Sequence, residues 1–407
     1  KGENPWITDQ TRLQWRAALE VSGRGDLVSR LSEGRPGFVV QGEVAFPEYA
    51  ERTHVAPEPL TPMERVTIVR SYDFGLCVDD QTDVLTESGW KRFPAVQPGE
   101  RVATRAADGT LEYHVPLRHV ARPYVGPLLT FHTQNVDFML TPEHLIPVEL
   151  QTGHGREKRK TCRKVPAQAI ADGQHPYAFV PLRARWPGVV PPASGPLGWP
   201  PMLWARFLGW YLSEGCVSRR GPGQDRGRRV NRRGGLITIS QTRPNADLAE
   251  VLSQTGLRWA ARRSGGWLQG WSAWCPALAD ALRPLGQTAD SKRAPADIKA
   301  LPSEYIWAFL DAFTRGDGHR RTRSNGSTEW TAFTASSGLA DDLQELALKA
   351  GLYARIRRRG PSERLLTDHV AQHIVRSAGG FDIAFKTKAA RAWLEPKRFR
   401  TVPYDGM

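Results

Sequence analysis

The 407-residue sequence lacks the features of several common protein classes. Its four cysteines show no Cys-x-x-Cys spacing, which argues against a zinc cage or a disulfide framework and suits a reducing cytoplasm. No run approaches the roughly 20 apolar residues that span a bilayer. No charged leader followed by an apolar run opens the sequence, so secretion is unsupported. We therefore expect a cytoplasmic protein without a membrane partner.

Positive charge is in excess. Lysine and arginine number 56 against 42 acidic residues, which gives a net charge of +14 and a pI near 9.9. This surplus favours a polyanionic partner. Nucleic acid fits better than a membrane surface, because no basic amphipathic helix with a clean apolar face is evident. Much of the charge lies in three arginine-rich segments, Arg219–Arg233, Arg320–Arg323 and Arg355–Arg359.

The amino-acid composition of the chain changes twice along its length. From Cys77 to about Pro181, short apolar runs alternate with Gly, Pro and Asp, which is typical of an all-β region. A Pro/Gly-rich stretch, 187–201, predicts a linker. Beyond it, predicted helices alternate with predicted strands. The predicted strands of the all-β region include Val84-Leu85, Arg101–Thr104, Leu128–Phe131 and Phe138–Leu140.

The region after the linker repeats itself. A helix, a strand and a second helix occur in the same order in both halves, and each half continues into a pair of arginines. Such self-similarity predicts two αββ-like halves related by a pseudo-twofold axis. Because one chain supplies both halves, we predict a monomer. The predicted elements are Leu203–Leu212, Leu236–Ile239 and Asn245–Gly256 in the first half, and Ile306–Phe313, Trp330–Phe333 and Leu339–Gly351 in the second.

The first helix of each half ends in an acidic residue followed by glycine, at Glu214-Gly215 and at Asp317-Gly318. A helix that is apolar on most sides is a buried helix. Small residues at matching places, Gly209 and Ala312, would let the two helices pack backbone to backbone. We expect Gly215 and Gly318 to end the helices in the left-handed conformation.

This packing would place Glu214 and Asp317 side by side at two negative helix ends. They would repel unless a divalent cation lay between them. Such a site can activate water and stabilise the leaving oxygen of a phosphodiester. The alternative is a pair of packing helices whose acidic ends occur by chance.

The segments Phe207–Gly215 and Leu310–Gly318 resemble the two motifs of LAGLIDADG homing endonucleases. The resemblance implies Mg²⁺-dependent, site-specific cleavage of double-stranded DNA, with Glu214 and Asp317 as catalytic metal ligands. Lys292 matches the lysine that precedes the second motif in this family. Two alternatives stay open. Arg293 could be the basic residue that matches the family's lysine, or Lys292 could be a plain surface lysine.

The same resemblance implies further basic residues. A second catalytic lysine belongs late in the other half, where Lys386 and Lys388 are the candidates. In this family the sheets lie across the duplex like a saddle. Basic side chains beside the strands contact phosphates or the edges of guanines. The DNA-binding candidates are Arg219, Arg220, Arg228, Arg229, Arg232, Arg233, Arg320, Arg321, Arg357 and Arg358.

The segments Cys77–Trp90 and Leu140–Leu145 resemble two blocks of inteins, which splice through a β-rich, horseshoe-like Hedgehog/intein (Hint) domain. The resemblance implies that Cys77 attacks the carbonyl of Leu76 to form a thioester. His144 would protonate the amide nitrogen, and Thr141 would be its polar partner. We interpret His114, His119 and His132 as structural. The closing His-Asn block of inteins is absent, so we expect no complete splicing from this chain by itself.

The segments Pro36–Gly42 and Ser71–Leu76 resemble the start of the nuclease domain in the large terminase subunit of tailed phages. That domain has a ribonuclease H-like fold, in which a strand ends in a metal-binding aspartate, here Asp73. The resemblance implies an intein inserted in a phage protein and acting in the cytoplasm of a bacterial host.

We therefore predict a multidomain chain. Residues 1–76 are a terminase fragment, 77–186 the first part of a Hint domain, 187–201 a linker, 202–395 the α/β endonuclease, and 396–407 a truncated return to the Hint domain. The predicted function is protein splicing with homing DNA cleavage. One alternative is a degenerate intein whose endonuclease part only binds DNA or is structural. A terminase nuclease with a decorative insertion is another.

Overall fold

A computed structural model of the chain describes residues 38–40, 43–45, 78–79, 82–106, 108–116, 124–133, 135–153, 159–218, 235–322, 328–367, 372–377, 379–386 and 391–406. Asp73, Cys77, His119, Lys388 and the segment Arg219–Arg233 lie outside these residues. Within the described ranges, no helix is both long and apolar enough to cross a membrane.

The first part of the described chain is made almost entirely of antiparallel strands, in agreement with the predicted all-β region. Strands β3 to β6 form one sheet in the order β4-β3-β5-β6, while β7 pairs with β8, and β9 pairs with both β10 and β11. The elements are β1 (Phe38–Val40), β2 (Glu43–Ala45), β3 (Asp83–Thr86), β4 (Gly89–Arg92), β5 (Val102–Arg105), β6 (Leu111–His114), β7 (Tyr124–His132), β8 (Asp137–Leu140), β9 (Leu145–Thr152), β10 (Arg159–Pro166), the short helix α1 (Ala167–Ala171) and β11 (Ala178–Pro181).

The next part alternates helices with strands and contains the predicted repeat. The elements are α2 (Pro201–Glu214), β12 (Gly215–Val217), β13 (Leu236–Ile239), α3 (Ala246–Gln254), β14 (Ala260–Ser264), β15 (Trp267–Trp274), α4 (Pro276–Leu282), α5 (Ala296–Ala300), α6 (Ser303–Gly316), β16 (Gly318–Thr322), β17 (Thr328–Thr334), α7 (Ser337–Lys349), β18 (Tyr353–Arg359), β19 (Ser362–Thr367), β20 (Gln372–Ser377) and β21 (Gly380–Lys386).

The two halves of this α/β part have the same sheet topology. The first sheet has the order β12-β13-β15-β14 and the second has the order β16-β17-β21-β18. Each half is therefore αββαββ, a longer unit than the predicted αββ, and the hairpin β19–β20 is an addition to the second half. Both second helices begin with a side-chain cap, because Asn245 accepts from the Asp247 and Leu248 amides and Ser336 accepts from the Leu339 amide.

The chain then returns to the β-rich part. Strand β22 (Arg391–Trp393) pairs with β11, and β23 (Phe399–Gly406) pairs with β7 along its whole length. The α/β part is thus inserted between two neighbouring strands of one sheet. We expected the return at residue 396, but the pairing of β22 with β11 places it already at Arg391, because backbone pairing rather than composition defines the boundary.

The predicted linker 187–201 packs along the α/β part. The indole N–H of Trp186 donates to the Leu301 carbonyl over 3.0 Å, and the Val189 amide donates to the Ala300 carbonyl over 2.8 Å. Gly188 has a φ of +71°, and a Cβ there would lie 2.3 Å from the backbone nitrogen of Pro302. Glycine at position 188 therefore allows the segment 187–201 to pack closely against the α/β part.

Helices α2 and α6 form the centre of the α/β core. A Cβ on Gly209 would lie 2.4 Å from the Phe309 carbonyl oxygen and 2.7 Å from the Cβ of Ala312. One turn further on, a Cβ on Gly316 would lie 2.2 Å from the Oγ of Ser213. Gly209 and Ala312 occupy matching positions of the two repeats, as do Ser213 and Gly316, and one partner in each pair is glycine. The two helix backbones approach as closely as the predicted packing required.

Candidate active site

The carboxyl ends of α2 and α6 place two acidic residues next to each other. Glu214 is the last residue of α2, and Asp317 caps α6 by donating its amide N–H to the Phe313 carbonyl over 3.1 Å. A Cβ on Gly316 would lie 3.0 Å from the Cγ of Glu214, so the end of α6 lies directly against that side chain. The structure therefore brings together the two acids that the sequence repeat singled out.

The glycines after these acids do not act as predicted. Gly215 is extended, with φ −93° and ψ 155°, and begins strand β12. Gly318 likewise has no positive φ and begins β16. A Cβ on Gly215 would lie 2.6 Å from the Tyr211 carbonyl oxygen, and one on Gly318 would lie 2.3 Å from that of Thr314. The prediction of left-handed helix stops was wrong, because glycine is needed here for close approach to the last helical turn.

Both acids hold protons more strongly than usual. Burial raises the pKa of the Glu214 carboxyl to about 7, and the nearby Asp317 charge adds to that rise. Burial also raises the pKa of Asp317 to about 6. The ammonium of Lys292 opposes both shifts. Two half-buried carboxyls that are costly to ionise together are groups that a cation would stabilise.

Lys292 is a buried residue, only 8% exposed, so the reading of a plain surface lysine was wrong. Its Nζ donates to the carbonyls of Tyr211, Leu212 and Ser213, at 3.3, 2.8 and 3.3 Å. Burial lowers the pKa of Lys292, whereas the charges of Asp317 and Glu214 act in the opposite direction. The ammonium thus caps the negative end of α2 beside the acid pair.

The other basic candidates near the centre lie elsewhere. Arg293 forms a two-point ion pair with Asp342, at 2.8 and 2.7 Å, and so points into helix α7. Lys386 pairs with Glu329 and lies four positions along β21 from Asp382. Asp382 pairs with Phe333, whose amide donates to the Asp317 carbonyl. At a rise of about 3.3 Å per residue, this puts Lys386 roughly 13 Å along the sheet from the acids. Lys386 is therefore badly placed to serve as the second catalytic lysine.

The acid pair fits a divalent cation that is completed by other ligands. Carboxylate oxygens are the ligands that Mg²⁺ prefers, and Mg²⁺ often takes only one or two of them alongside substrate phosphates. In the described part of the chain, no group of three or more His, Cys, Asp or Glu side chains could hold a metal ion. Glu214 and Asp317 would therefore be the protein's contribution to such a site.

The strand register of the second sheet divides the predicted DNA-binding arginines. Side chains alternate between the two faces of a strand. Arg320 pairs with Trp330 and Arg358 pairs with Phe381, so both lie on the face that carries the hydrophobic core. Arg321 and Arg357 pair with Glu329 and Asp382 on the opposite face. Arg320 and Arg358 thus do not share a face of the sheet with Arg321 and Arg357.

The same alternation identifies basic residues that sequence reasoning missed. His319, Arg355 and Arg359 share the outer face with Arg321 and Arg357, because each lies an even number of positions from one of them along β16 or β18. Arg359 also contacts Asp382 and lies over the Phe333 ring, with 5.7 Å to the centroid. The period-two spacing Arg355-x-Arg357-x-Arg359 was the available signal. We call these five residues the basic face.

The backbone carbonyl of each acid is bonded in the same way in the two halves. The Ser240 amide donates to the Glu214 carbonyl over 2.9 Å, just as the Phe333 amide donates to the Asp317 carbonyl over 2.9 Å.

Two of the predicted splicing residues, Thr141 and His144, come shortly after strand β8. Thr141, only 1% exposed, follows β8, and the His144 amide donates to its carbonyl over 3.0 Å. Val78 pairs with Leu140, and the Asp79 amide donates to the Met139 carbonyl over 3.2 Å. The immediate chain neighbour of Cys77 therefore pairs with the immediate neighbour of Thr141. His114 and His132 lie at exposed positions and contact Glu112 and Asp137.

Comparisons with known proteins address the α/β part. Among solved structures, the chain resembles the crystal structure of I-DmoI in complex with DNA and Ca, at a TM-score of 0.31 and 10% identity, over 47% of this chain and 85% of that one. The complex of I-DmoI with DNA and Mn gives 0.30 and 11%, over 47% and 92%. No curated protein matches the chain. Residues 304–377 match the family described as the LAGLIDADG-like domain, and this segment contains nearly all of α6, Asp317 and the strands of the basic face.

Proposed function

We propose that this chain is a site-specific DNA endonuclease that cuts both strands with Mg²⁺ at a centre made by Glu214 and Asp317. The observation that carries the proposal is the meeting of two half-buried carboxyls with raised pKa values where two closely packed helices end. LAGLIDADG proteins are DNA endonucleases, and the matched segment contains one of these two acids. The net charge of +14 suits a DNA substrate.

The parts of the centre have distinct roles in this proposal. A bound Mg²⁺ would supply polarisation of the scissile phosphate and activation of water. Glu214 and Asp317 would hold the cation, one from each half of the repeat. Lys292 keeps a positive charge at the end of α2, where it offsets part of the repulsion between the acids. Because one chain carries both acids, a single copy is sufficient for the centre.

The basic face is the proposed contact with the duplex. Its cations stand on one side of a sheet, and Asp317 precedes the first strand of that sheet. A duplex lying on this side would meet phosphate-binding cations next to the cutting centre. DNA binding by an inactive endonuclease part is the competing reading, and substitutions of the two acids separate it from cleavage.

Replacing either acid should abolish cutting without abolishing binding. For Glu214→Gln and Asp317→Asn, we expect cleavage of a duplex spanning the uninterrupted host gene to fall at least about 100-fold, because one metal ligand is lost. Affinity for the same duplex should change less than about threefold. Asp311→Asn is the control, since Asp311 lies on α6 and forms an ion pair with Arg315 at the surface. Unchanged cleavage by both acid variants would remove the assignment.

Cutting at limiting Mg²⁺ should depend on pH because protons compete with the cation. With pKa values of about 7 for Glu214 and about 6 for Asp317, both acids are ionised at pH 8 and mostly protonated at pH 5. The rate should therefore fall as the pH drops from about 8 to about 6. Saturating Mg²⁺ should move this fall to lower pH, because the cation binds the ionised carboxylates. A rate independent of pH in this range at limiting Mg²⁺ would contradict the proposed ligands.

Neighbouring arginines on opposite faces of β18 give a matched test of the interface. Arg357→Ala should weaken duplex binding and lower the slope of log affinity against log salt by up to about one unit, because one phosphate contact is lost. Arg358→Ala removes the same charge one residue later but from the opposite face, and should leave the slope unchanged. Equal effects of the two variants would show that only net charge matters.

We propose in addition that the β-rich part is the splicing domain of an intein, with Cys77 as the nucleophile and His144 and Thr141 at the scissile amide. Three observations support this. Thr141 is buried, the chain neighbours of Cys77 and Thr141 pair with each other, and the chain returns through β22 and β23 to the same sheets. The roles of the terminase-like segment and Asp73 stay predictions, as does action in the cytoplasm of a bacterial host.

Splicing should be seen in a precursor extended downstream to supply a His-Asn ending and the next extein residue. In that precursor, mass spectrometry should find ligated flanks, Cys77→Ala should abolish them, and His144→Ala should slow their formation at least about tenfold, because the amide nitrogen then lacks its proton donor. Cys162→Ala is the control, since Cys162 is exposed on β10. Ligated flanks from the Cys77→Ala precursor would show that another group is the nucleophile.

A further inference from the structure

The ammonium of Lys292 reaches the end of α2 from a segment without regular structure. Residues 292–295 belong to no helix or strand, and Lys292 sends its side chain across to the carbonyls of α2. A lysine side chain has four rotatable bonds and loses much entropy when it is held in one place. The position of its Nζ therefore depends on how firmly the backbone of this segment is anchored.

Helix α7 anchors the segment at Lys292 itself and again two residues later. The Oγ of Ser336, at the beginning of α7, donates to the Lys292 carbonyl over 2.7 Å. The Ala294 amide donates to the Asp342 carboxylate over 2.8 Å. The Arg293 amide donates to the Leu285 carbonyl, also over 2.8 Å. Of these contacts, only the one to Asp342 involves a charged acceptor.

Asp342 is saturated with donors from this segment and from α5. Besides the Ala294 amide, it accepts two bonds from the Arg293 guanidinium, at 2.8 and 2.7 Å, and one from the Lys299 Nζ at 2.7 Å. Its side chain is 1% exposed. Charge-assisted bonds in such a buried place are stronger and more directional than those at a surface. Removal of this one carboxylate would break the bonds that α7 makes to the two residues after Lys292, and only the Arg293 amide would keep a backbone bond, to Leu285.

The packing around Arg293 shows that its place on α7 is specific. A Cβ on Gly338 would lie 2.6 Å from the Cδ and 2.9 Å from the Nε of Arg293, so glycine leaves room for the Arg293 side chain against the first turn of α7. The turn between β3 and β4 approaches the same charges from the β-rich part, since a Cβ on Gly89 would lie 3.9 Å from the Nη2 of Arg293 and 3.8 Å from the Nζ of Lys299. The side chain of Lys299 is only 9% exposed, whereas that of Arg293 is 51% exposed.

We infer that Asp342 is a positioning residue that holds Lys292 against the end of α2, beside Glu214 and Asp317. This inference rests on the proposed nuclease function for its effect on cutting, while the placement of Lys292 can be tested without it. Asp342 acts through the backbone amide of Ala294 and the guanidinium of Arg293. It touches neither acid of the cutting centre.

The test compares Asp342→Asn with Glu345→Gln in the full chain. Glu345 is equally buried, lies on the same helix and shares the Lys299 ion pair, but contacts Lys299 and Lys349 instead of the 292–294 segment. Both variants should lose stability. Only Asp342→Asn should lower kcat for duplex cleavage, by about tenfold, with an unchanged KM for the duplex.

A chemical readout follows Lys292 directly. Brief acetylation of the folded proteins with acetic anhydride, followed by peptide mass spectrometry, should label Lys292 several-fold faster in Asp342→Asn than in the parent chain or in Glu345→Gln. If Asp342→Asn does not fold, Gly338→Ala provides the second variant, because its methyl group displaces Arg293 without removing a charge. It should change labelling and kcat in the same direction.

The outcomes separate the two proposals. Equal Lys292 labelling in the parent chain, in the Asp342 variant and in the Gly338 variant would overturn the positioning role, whatever the nuclease assay shows. A parent chain that fails to cut DNA, together with faster labelling of Lys292 in the variants, would uphold the positioning role and remove the proposed function instead.

Discussion

The close approach of α2 and α6 is the constraint on which the cutting centre depends. Gly209 against Ala312 and Gly316 against Ser213 leave no side-chain volume between the helices at two successive turns. Helices that approach this closely must end close together, and their last residues are acids. The repulsion between Glu214 and Asp317 is therefore built into the hydrophobic core, and the core's packing energy opposes it.

Compensation for that repulsion comes from outside the two helices. Lys292 caps α2 from an irregular segment, which is itself anchored by the buried charges of α7. Lys349, at the far end of the same helix, lies over the rings of Tyr113 and Trp186, at 5.2 and 4.7 Å. A line of charged groups thus runs from the acids to the β-rich part. Such buried ions add little net stability, but they fix the relative positions of the elements that they join.

Apolar runs and the repeat were enough to predict the first helix, one strand and the second helix of each half, and all six are present. They did not predict the other three sheet strands of each half. Single positions were harder to predict. Gly215 and Gly318 fit the sequence pattern of left-handed helix caps. In the structure, glycine is needed at both positions because the backbone comes close to Tyr211 and Thr314. Such a contact cannot be predicted from the local sequence. The face occupied by each arginine depended on register, and for Arg320 and Arg358 the register was set by Trp330 and Phe381 across the ladder.

The pairing of β11 with β22 has a consequence for how the chain is assembled from parts. Paired strands lie roughly 4.8 Å apart, so the α/β part leaves and re-enters its host sheet through neighbouring points. A connection of only a few residues could join those points and leave the sheet intact. The geometry therefore allows the whole α/β part to be gained or lost as a module during evolution. The buried charges of α7, which meet the β-rich part, are the contacts that would need to change with it.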